Sequence, residues 1–219
     1  MNSDKFFYLI VGAVTLAIFF GIIFFAGGKS TSTNIAGQSD TPIELTDLIG
    51  DNYHTTIDPK NSKVTLVVFT DFQCPACKSA ETEIGVVKKD FKDTVAVIYK
   101  HFPLTSIHNY AYNAALASES AGKQNKFFEY AEILFREQTT NTQPLKEENF
   151  VKFAEELKLD IEKFKADYKS IKIKQLVDAD LKIANNLRLN ETPSFFINGK
   201  KFTGGNLYTE IEKLVNKVE

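Results

Sequence analysis

The stretch from Val64 to Tyr99 constrains the fold of this 219-residue chain more than any other. Val64 to Phe69 is an unbroken β-branched and aromatic run, bounded upstream by the turn-like Asp58-Pro59-Lys60-Asn61 and downstream by Cys74-Pro75-Ala76-Cys77. A short apolar run between turn signals reads as a buried strand. From Ala76 to Phe91, the apolar residues Ala80, Ile84, Val87 and Phe91 recur at spacings of three and four, which lays one stripe along a helix. Val95 to Tyr99 returns to strand chemistry. Strand, helix, strand in that order predicts a crossover unit with two parallel strands, and so an α/β fold.

Between His108 and Leu189 every long segment has helical period. Ala111, Ala114, Ala115 and Ala121 share one face, and Phe127, Phe128, Ile133, Leu134 and Phe135 populate the next helix. Phe150, Phe153, Ala154 and Leu157 form a further stripe, Asp160 is placed to cap a short helix carrying Phe164 and Tyr168, and Ile173 to Leu187 make a longer one. Aromatics at such spacings are core residues rather than a cofactor box. Beyond this block, Ser194 to Asn198 reads as a strand, Asn198-Gly199 as a tight turn, Lys201 to Thr203 as the return, and Thr209 to Val218 as a closing amphipathic helix.

The N-terminus is of another kind. Phe6 to Ala26 contains no charged residue, and at ~1.5 Å per residue a helix of that length spans the ~30 Å hydrocarbon core of a bilayer. An uncleaved membrane anchor over residues 1–28 is the expectation; a cleaved signal peptide or a buried core helix are the competitors. Asp4 and Lys5 before the run and Lys29 after it leave orientation undecided. Residues 29–42 are rich in Ser, Thr, Asn, Gly and Gln, too polar to hold a structure, and read as a flexible linker to one folded unit over 43–219. With 26 basic and 28 acidic residues interleaved, the chain lacks the concentrated basic face that nucleic-acid binding needs.

Chemistry concentrates at Cys74-Pro75-Ala76-Cys77, the only cysteines in the chain. Two intervening residues let both sulfurs meet on the first turn of a helix that follows a strand. There, unpaired N–H groups and the positive end of the helix dipole stabilise a thiolate and lower its pKa toward ~3.5 to ~7.5. Pro75 suits this turn because its missing N–H had no partner to lose. Cys74 is then expected to be the exposed attacking thiol and Cys77 the buried resolving one. A CxxC pair is also half a zinc site, but no further cysteine exists and His54, His101 and His108 stand at no usual ligand spacing, so no metal is expected. A purely structural bridge closing so short a loop would constrain the unfolded chain little. Each histidine by itself reads as a surface or hydrogen-bonding residue.

From about Val64 to Val218 the chain resembles DsbA-type thioredoxin-fold proteins. Asp71-Phe72-Gln73-Cys74-Pro75-Ala76-Cys77 resembles that family's active-site strand end and helix start, and Thr192-Pro193-Ser194-Phe195-Phe196-Ile197-Asn198-Gly199 its downstream loop and strand. His101-Phe102-Pro103-Leu104 and Lys126-Phe127-Phe128 fall in a stretch matching its helical insertion, over about 104–189. The resemblance implies a thioredoxin fold with an inserted α-helical domain, preceded here by an N-terminal transmembrane helix. It also implies a cis Thr192–Pro193 bond facing the cysteines, with Pro75, Ala76, Thr192 and Pro193 binding substrate. A proline there leaves the backbone of Thr192 free to pair with an extended substrate. The implied activity is disulfide introduction into cysteine-containing secreted or surface proteins, without a cofactor. Re-oxidation would come from a quinone-linked membrane partner of DsbB or VKOR type. The catalytic domain would stand on the extracytoplasmic side of the plasma membrane, where an oxidised pair is sustained. A reductase or isomerase of the same fold, or a non-catalytic binding module, are the other functions such a chain supports.

Two departures from the family pattern matter. Where many relatives carry a buried acid six residues before the first cysteine, this chain has Val68, so the proton of Cys77 must go to water, Asp71 or another group. Where strongly oxidising relatives place a histidine between the cysteines, Ala76 supplies no charge. A potential between ~-120 mV and ~-270 mV is therefore expected. Asn190-Glu191-Thr192 fits a glycosylation sequon, but modification would block the site; Asn190 reads instead as a left-handed residue ending a helix.

Overall fold

The computed structural model describes residues 41–138 and 145–217. The expected anchor at Phe6–Ala26, nearly all of the linker and Val218 lie outside the described residues. Among those described, no helix is long and apolar enough to cross a membrane.

The described residues open with a short helix α1 (Leu45–Ile49) and an edge strand β1 (His54–Thr55), followed by a 3-10 turn at Pro59–Asn61. Then come β2 (Val64–Thr70), α2 (Pro75–Asp90) and β3 (Val95–His101). Among the described residues five α-helices follow: α3 (Ala111–Gly122), α4 (Phe127–Glu137), α5 (Glu147–Glu156), α6 (Ile161–Tyr168) and α7 (Ile171–Asn186). A hairpin, β4 (Ser194–Ile197) and β5 (Lys200–Phe202), leads to the last described helix, α8 (Leu207–Lys217). The strands form a sheet in the order β1-β3-β2-β4-β5. β2 and β3 run parallel, in register from Val64 opposite Val95 to Thr70 opposite His101, and the other pairs are antiparallel. The crossover unit is therefore present, with α2 as its helix.

β2 is apolar throughout because both of its faces are covered. Val64, Leu66 and Val68 pack with Ile84 and Val87 of α2 and with Leu207, Ile211 and Val215 of α8. Val67 and Phe69 face the other way, against Phe196, Ala184, Leu48 and Ile49. Burying each such side chain stabilises by roughly 1.5–3 kcal/mol. The aromatics of α4, α5 and α6 extend the first core: Tyr130 stacks edgewise on Phe153 and lies tilted on Phe164. Asp160 caps α6 by accepting from the Lys163 N–H at 2.9 Å, and Ser170 caps α7 in the same way.

Differences from the sequence reading are local. β3 runs on through Lys100 and His101, two ionisable residues, because both are buried and partnered. Lys100 Nζ donates to the Ile49 and Asn52 carbonyls at 2.7 and 2.8 Å and pairs with Asp180 of α7. His101 Nε2 meets Glu119 of α3 at 3.0 Å, and His54 Nε2 meets the same carboxylate oxygen at 3.1 Å. The edge strand β1 is absent from the sequence reading. Lys200, not Lys201, opens the return strand. The turn before it has Asn198 and Gly199 both at positive φ, as a tight two-residue hairpin requires. Asn190 does not end a helix: α7 stops at Asn186 and the left-handed residue is Arg188. The Arg188 N–H bonds the Asn185 carbonyl and the Leu189 N–H bonds the Ala184 carbonyl, a closure that buries Leu189.

Candidate active site

Cys74 is the N-cap of α2, in extended conformation, with Pro75 in the first helical position and Cys77 one turn in. Both thiols are free. Pro75 and Ala76 are exposed, but the sulfurs between which they stand are not: Cys74 is 7% exposed and Cys77 2%. The expectation of an exposed Cys74 is thus corrected. It is the less buried member of a covered pair, because the Thr192–Pro193 loop closes over it.

That loop enters β4 through a cis Thr192–Pro193 bond. The Cys74 thiol donates to the Thr192 carbonyl at 3.2 Å. Among the described residues the buried Thr192 hydroxyl has no nitrogen or oxygen partner, and it lies against the Cys74 sulfur. The pKa of Cys74 falls to about 5: a hydrogen bond from Cys77 contributes most, burial opposes it, and the Thr192 side chain and the backbone N–H groups of Cys77 and Ala76 add to the fall. Cys77 is pushed strongly upward, first by burial and then by its bond to Cys74, with the Thr70 hydroxyl and the Asp71 N–H opposing. One thiol is thereby poised as a nucleophile and leaving group, the other held as a proton donor.

Asp71, one of the groups weighed to take the proton of Cys77, is committed elsewhere. Its carboxylate accepts from the N–H groups of Gln73 and Leu104, at 2.7 and 2.8 Å, and meets His108 Nδ1 at 2.8 Å. Its role is to anchor the turn before Cys74 to the loop after β3. Gln73 adds a second tie, its side-chain oxygen accepting from the Tyr110 N–H at 2.5 Å. A further ionisable group feels the charge of Cys77: Tyr99, the register partner of Val68, donates its hydroxyl to Glu81 of α2 at 2.6 and 2.7 Å, and Lys88 approaches the same carboxylate at 3.1 Å.

The residues the sequence reading missed are Thr70 and Gln138; Gln73 stood in the cysteine run without a role of its own, and His108, read as a surface or hydrogen-bonding residue, bonds Asp71. Gln138 follows α4 directly, and its amide nitrogen donates to the carbonyls of Phe72 at 2.7 Å and Cys74 at 3.0 Å. No periodicity or motif marks a lone glutamine at a helix end as a neighbour of a cysteine 64 residues earlier. His54 and His101 lie in the Glu119 cluster rather than at the thiols. Among the described residues no three His, Cys, Asp or Glu side chains are grouped to hold a metal ion.

A family model described as thioredoxin matches residues 53–217. Among curated proteins the chain is similar to the Na(+)/H(+) antiporter NhaA 1 of Mycobacterium sp. (strain KMS), at 36% identity over 153 residues, 69% of this chain and 24% of that one. The chain spans about a quarter of the length of the curated relatives it matches. Among solved structures, the thiol-disulfide exchange protein alpha-DsbA2 of Wolbachia pipientis superposes with a TM-score of 0.68 at 19% identity, covering 80% of this chain and 91% of that one. BdbD of Bacillus subtilis, in its oxidised form, gives 0.65 at 23% identity, covering 80% and 94%. At these identities the likeness is one of fold.

Proposed function

We infer the activity from family and site together: the chain belongs to the thioredoxin family, has the DsbA-like fold, and works as a thiol-disulfide oxidoreductase through Cys74 and Cys77. The observation that carries this reading is the free Cys74–Cys77 pair at the start of α2, covered by the cis Thr192–Pro193 loop, in surroundings that lower the Cys74 pKa and raise that of Cys77. Our reading of direction is oxidative. A client thiolate attacks the Cys74 sulfur of the oxidised pair, the Cys74–Cys77 bond breaks, and Cys77 leaves and takes up a proton. The client's second thiolate then attacks the mixed disulfide and expels Cys74, a good leaving group because its thiolate is stabilised. Two electrons pass from client to enzyme. They would leave to a membrane redox partner of DsbB or VKOR type, which fits the uncharged run at Phe6–Ala26 read as an anchor, with the domain outside the cytoplasm and secreted or surface proteins as clients.

The test is the reduction potential of the pair, measured by equilibrating the chain with glutathione buffers of known poise and trapping free thiols. A value well above the glutathione couple supports the oxidase. A value near ~-270 mV would overturn it in favour of a reductase.

A further inference from the structure

The cysteine turn is joined to the end of α4 by four hydrogen bonds, two in each direction. From α2, Lys78 Nζ donates to the carbonyls of Gln138 at 2.5 Å and Arg136 at 3.2 Å. From the other side, the Gln138 side chain, 7% exposed, uses its one amide nitrogen to reach the carbonyls of Phe72 and Cys74. A primary amide nitrogen carries two N–H groups, so both are consumed. The residue between these two carbonyls, Gln73, is itself held by Asp71 and Tyr110.

The geometry has a consequence at the sulfur. The Cys74 carbonyl accepts the first helical bond, from the Lys78 N–H at 3.2 Å. Fixing the direction of that carbonyl fixes the peptide plane entering Pro75, and with it the first turn of α2. The N–H groups of Ala76 and Cys77 belong to that turn, and first-turn N–H groups point back toward the N-cap residue, here Cys74. A tilt of the Cys74 peptide would swing both donors away from it.

We propose that Gln138, resting on the exchange activity inferred above, is a positioning residue for that activity: by binding the Phe72 and Cys74 carbonyls it aims the Ala76 and Cys77 N–H groups at the Cys74 sulfur. The helical insertion thereby sets the reactivity of the pair without contributing an atom to the reaction. Lys78 supports the same contact but from a rotatable, half-exposed side chain; Gln138 is buried, and its planar amide has a fixed direction.

The test uses the full-length chain with Gln138→Met, which keeps the volume and removes both donors, and with Gln138→Glu, which turns a carboxylate toward two carbonyls. The charged and titratable groups at the turn, Asp71, Cys77, Lys78 and His108, are untouched in both. Thiolate absorbance of the reduced protein, followed against pH, reads Cys74 directly, and thermal unfolding is measured beside it. In Gln138→Met the Cys74 midpoint is expected to rise by about one pH unit, and exchange with glutathione at pH 7 to shift about tenfold toward the oxidised enzyme, or about 30 mV toward a more reducing potential. Gln138→Glu should raise the midpoint at least as far. If melting temperature falls while the Cys74 midpoint stays at the parental value in whichever variant folds, Gln138 is structural only and the proposal is overturned. Failure of the parent chain to exchange with glutathione would instead sink the activity reading, so the two failures are distinguishable.

Discussion

Lys100→Met tests the buried charge network that ties the N-terminal segment to the sheet. Lys100 is 1% exposed, and Asp180 is buried with it. Removing the ammonium leaves Asp180, among the described residues, with only the His101 N–H as a hydrogen-bond donor, at 2.8 Å, and strips the donor from the Ile49 and Asn52 carbonyls. Breaking a buried ion pair from one side costs about 3–5 kcal/mol. At 2–4 °C per kcal/mol for a domain of this size, a loss of about 4 kcal/mol lowers the melting temperature by about 8–16 °C. The double variant Lys100→Met with Asp180→Leu removes the stranded charge as well, and should lose less than the single one. The pH dependence has a definite sign. Burial already raises the Asp180 pKa against the pull of Lys100, and without Lys100 it rises further. A carboxyl raised on folding is destabilising above its folded pKa, and that penalty fades as pH falls toward the unfolded value of ~3.9. Differential scanning of both variants beside the parent at pH 7 and pH 4.5 should therefore show the gap narrowing in acid. A single-variant loss under about 1 kcal/mol, or a gap that widens in acid, would refute the reasoning.

Three other outcomes are expected. Alkylation of Cys74 in the reduced chain should titrate with a midpoint of about 5. Since that pKa is lowered on folding, the stability it lends the reduced state is full above the ordinary thiol value of 9.0 and is lost as pH falls through about 5; denaturant melts of the parent and Cys74→Ser, reduced, should converge in acid. Thr192→Val removes a hydroxyl that lies against Cys74, so the alkylation midpoint should move up while the melting temperature, with no oxygen or nitrogen partner lost, changes little. Gly199→Ala should destabilise by at least about 1–3 kcal/mol, because φ is +79° there and a Cβ would stand 2.2 Å from the Ile43 carbonyl oxygen; urea melts measure it.

The parts of this molecule that follow from local pattern were legible in the sequence. Val64–Phe69, the stripe on α2, the Asp160 cap and the Asn198-Gly199 turn each express a rule that acts within a few residues. What escaped depends on contacts made at a distance. Lys100 and His101 carry no strand signal; they continue β3 because Asp180 and Glu119, from helices 80 and 18 residues further on, give them partners in the core. Arg188 rather than Asn190 takes the left-handed position because the burial of Leu189 decides where α7 stops. At the site, the cysteines were marked by their own spacing, and the cis proline only by the resemblance to DsbA-type proteins. The burial of Cys74, the engagement of Asp71 with three nitrogen partners and the reach of Gln138 arise only when loops far apart in sequence close over the turn.

The contrast between the two thiols also fixes how protons follow electrons. With Cys74 ionised above about pH 5 and Cys77 held protonated, the reduced pair gains two electrons but keeps one proton. Its potential then changes by about 30 mV per pH unit, where an ordinary dithiol that takes up two protons changes by about 59 mV. Passing a disulfide to a client with two neutral thiols releases one proton to solvent. Each unit of acidification therefore weakens the drive of that transfer about tenfold, so that, on the oxidative reading proposed above, the acidity of the surroundings would directly control how strongly the pair oxidises a client.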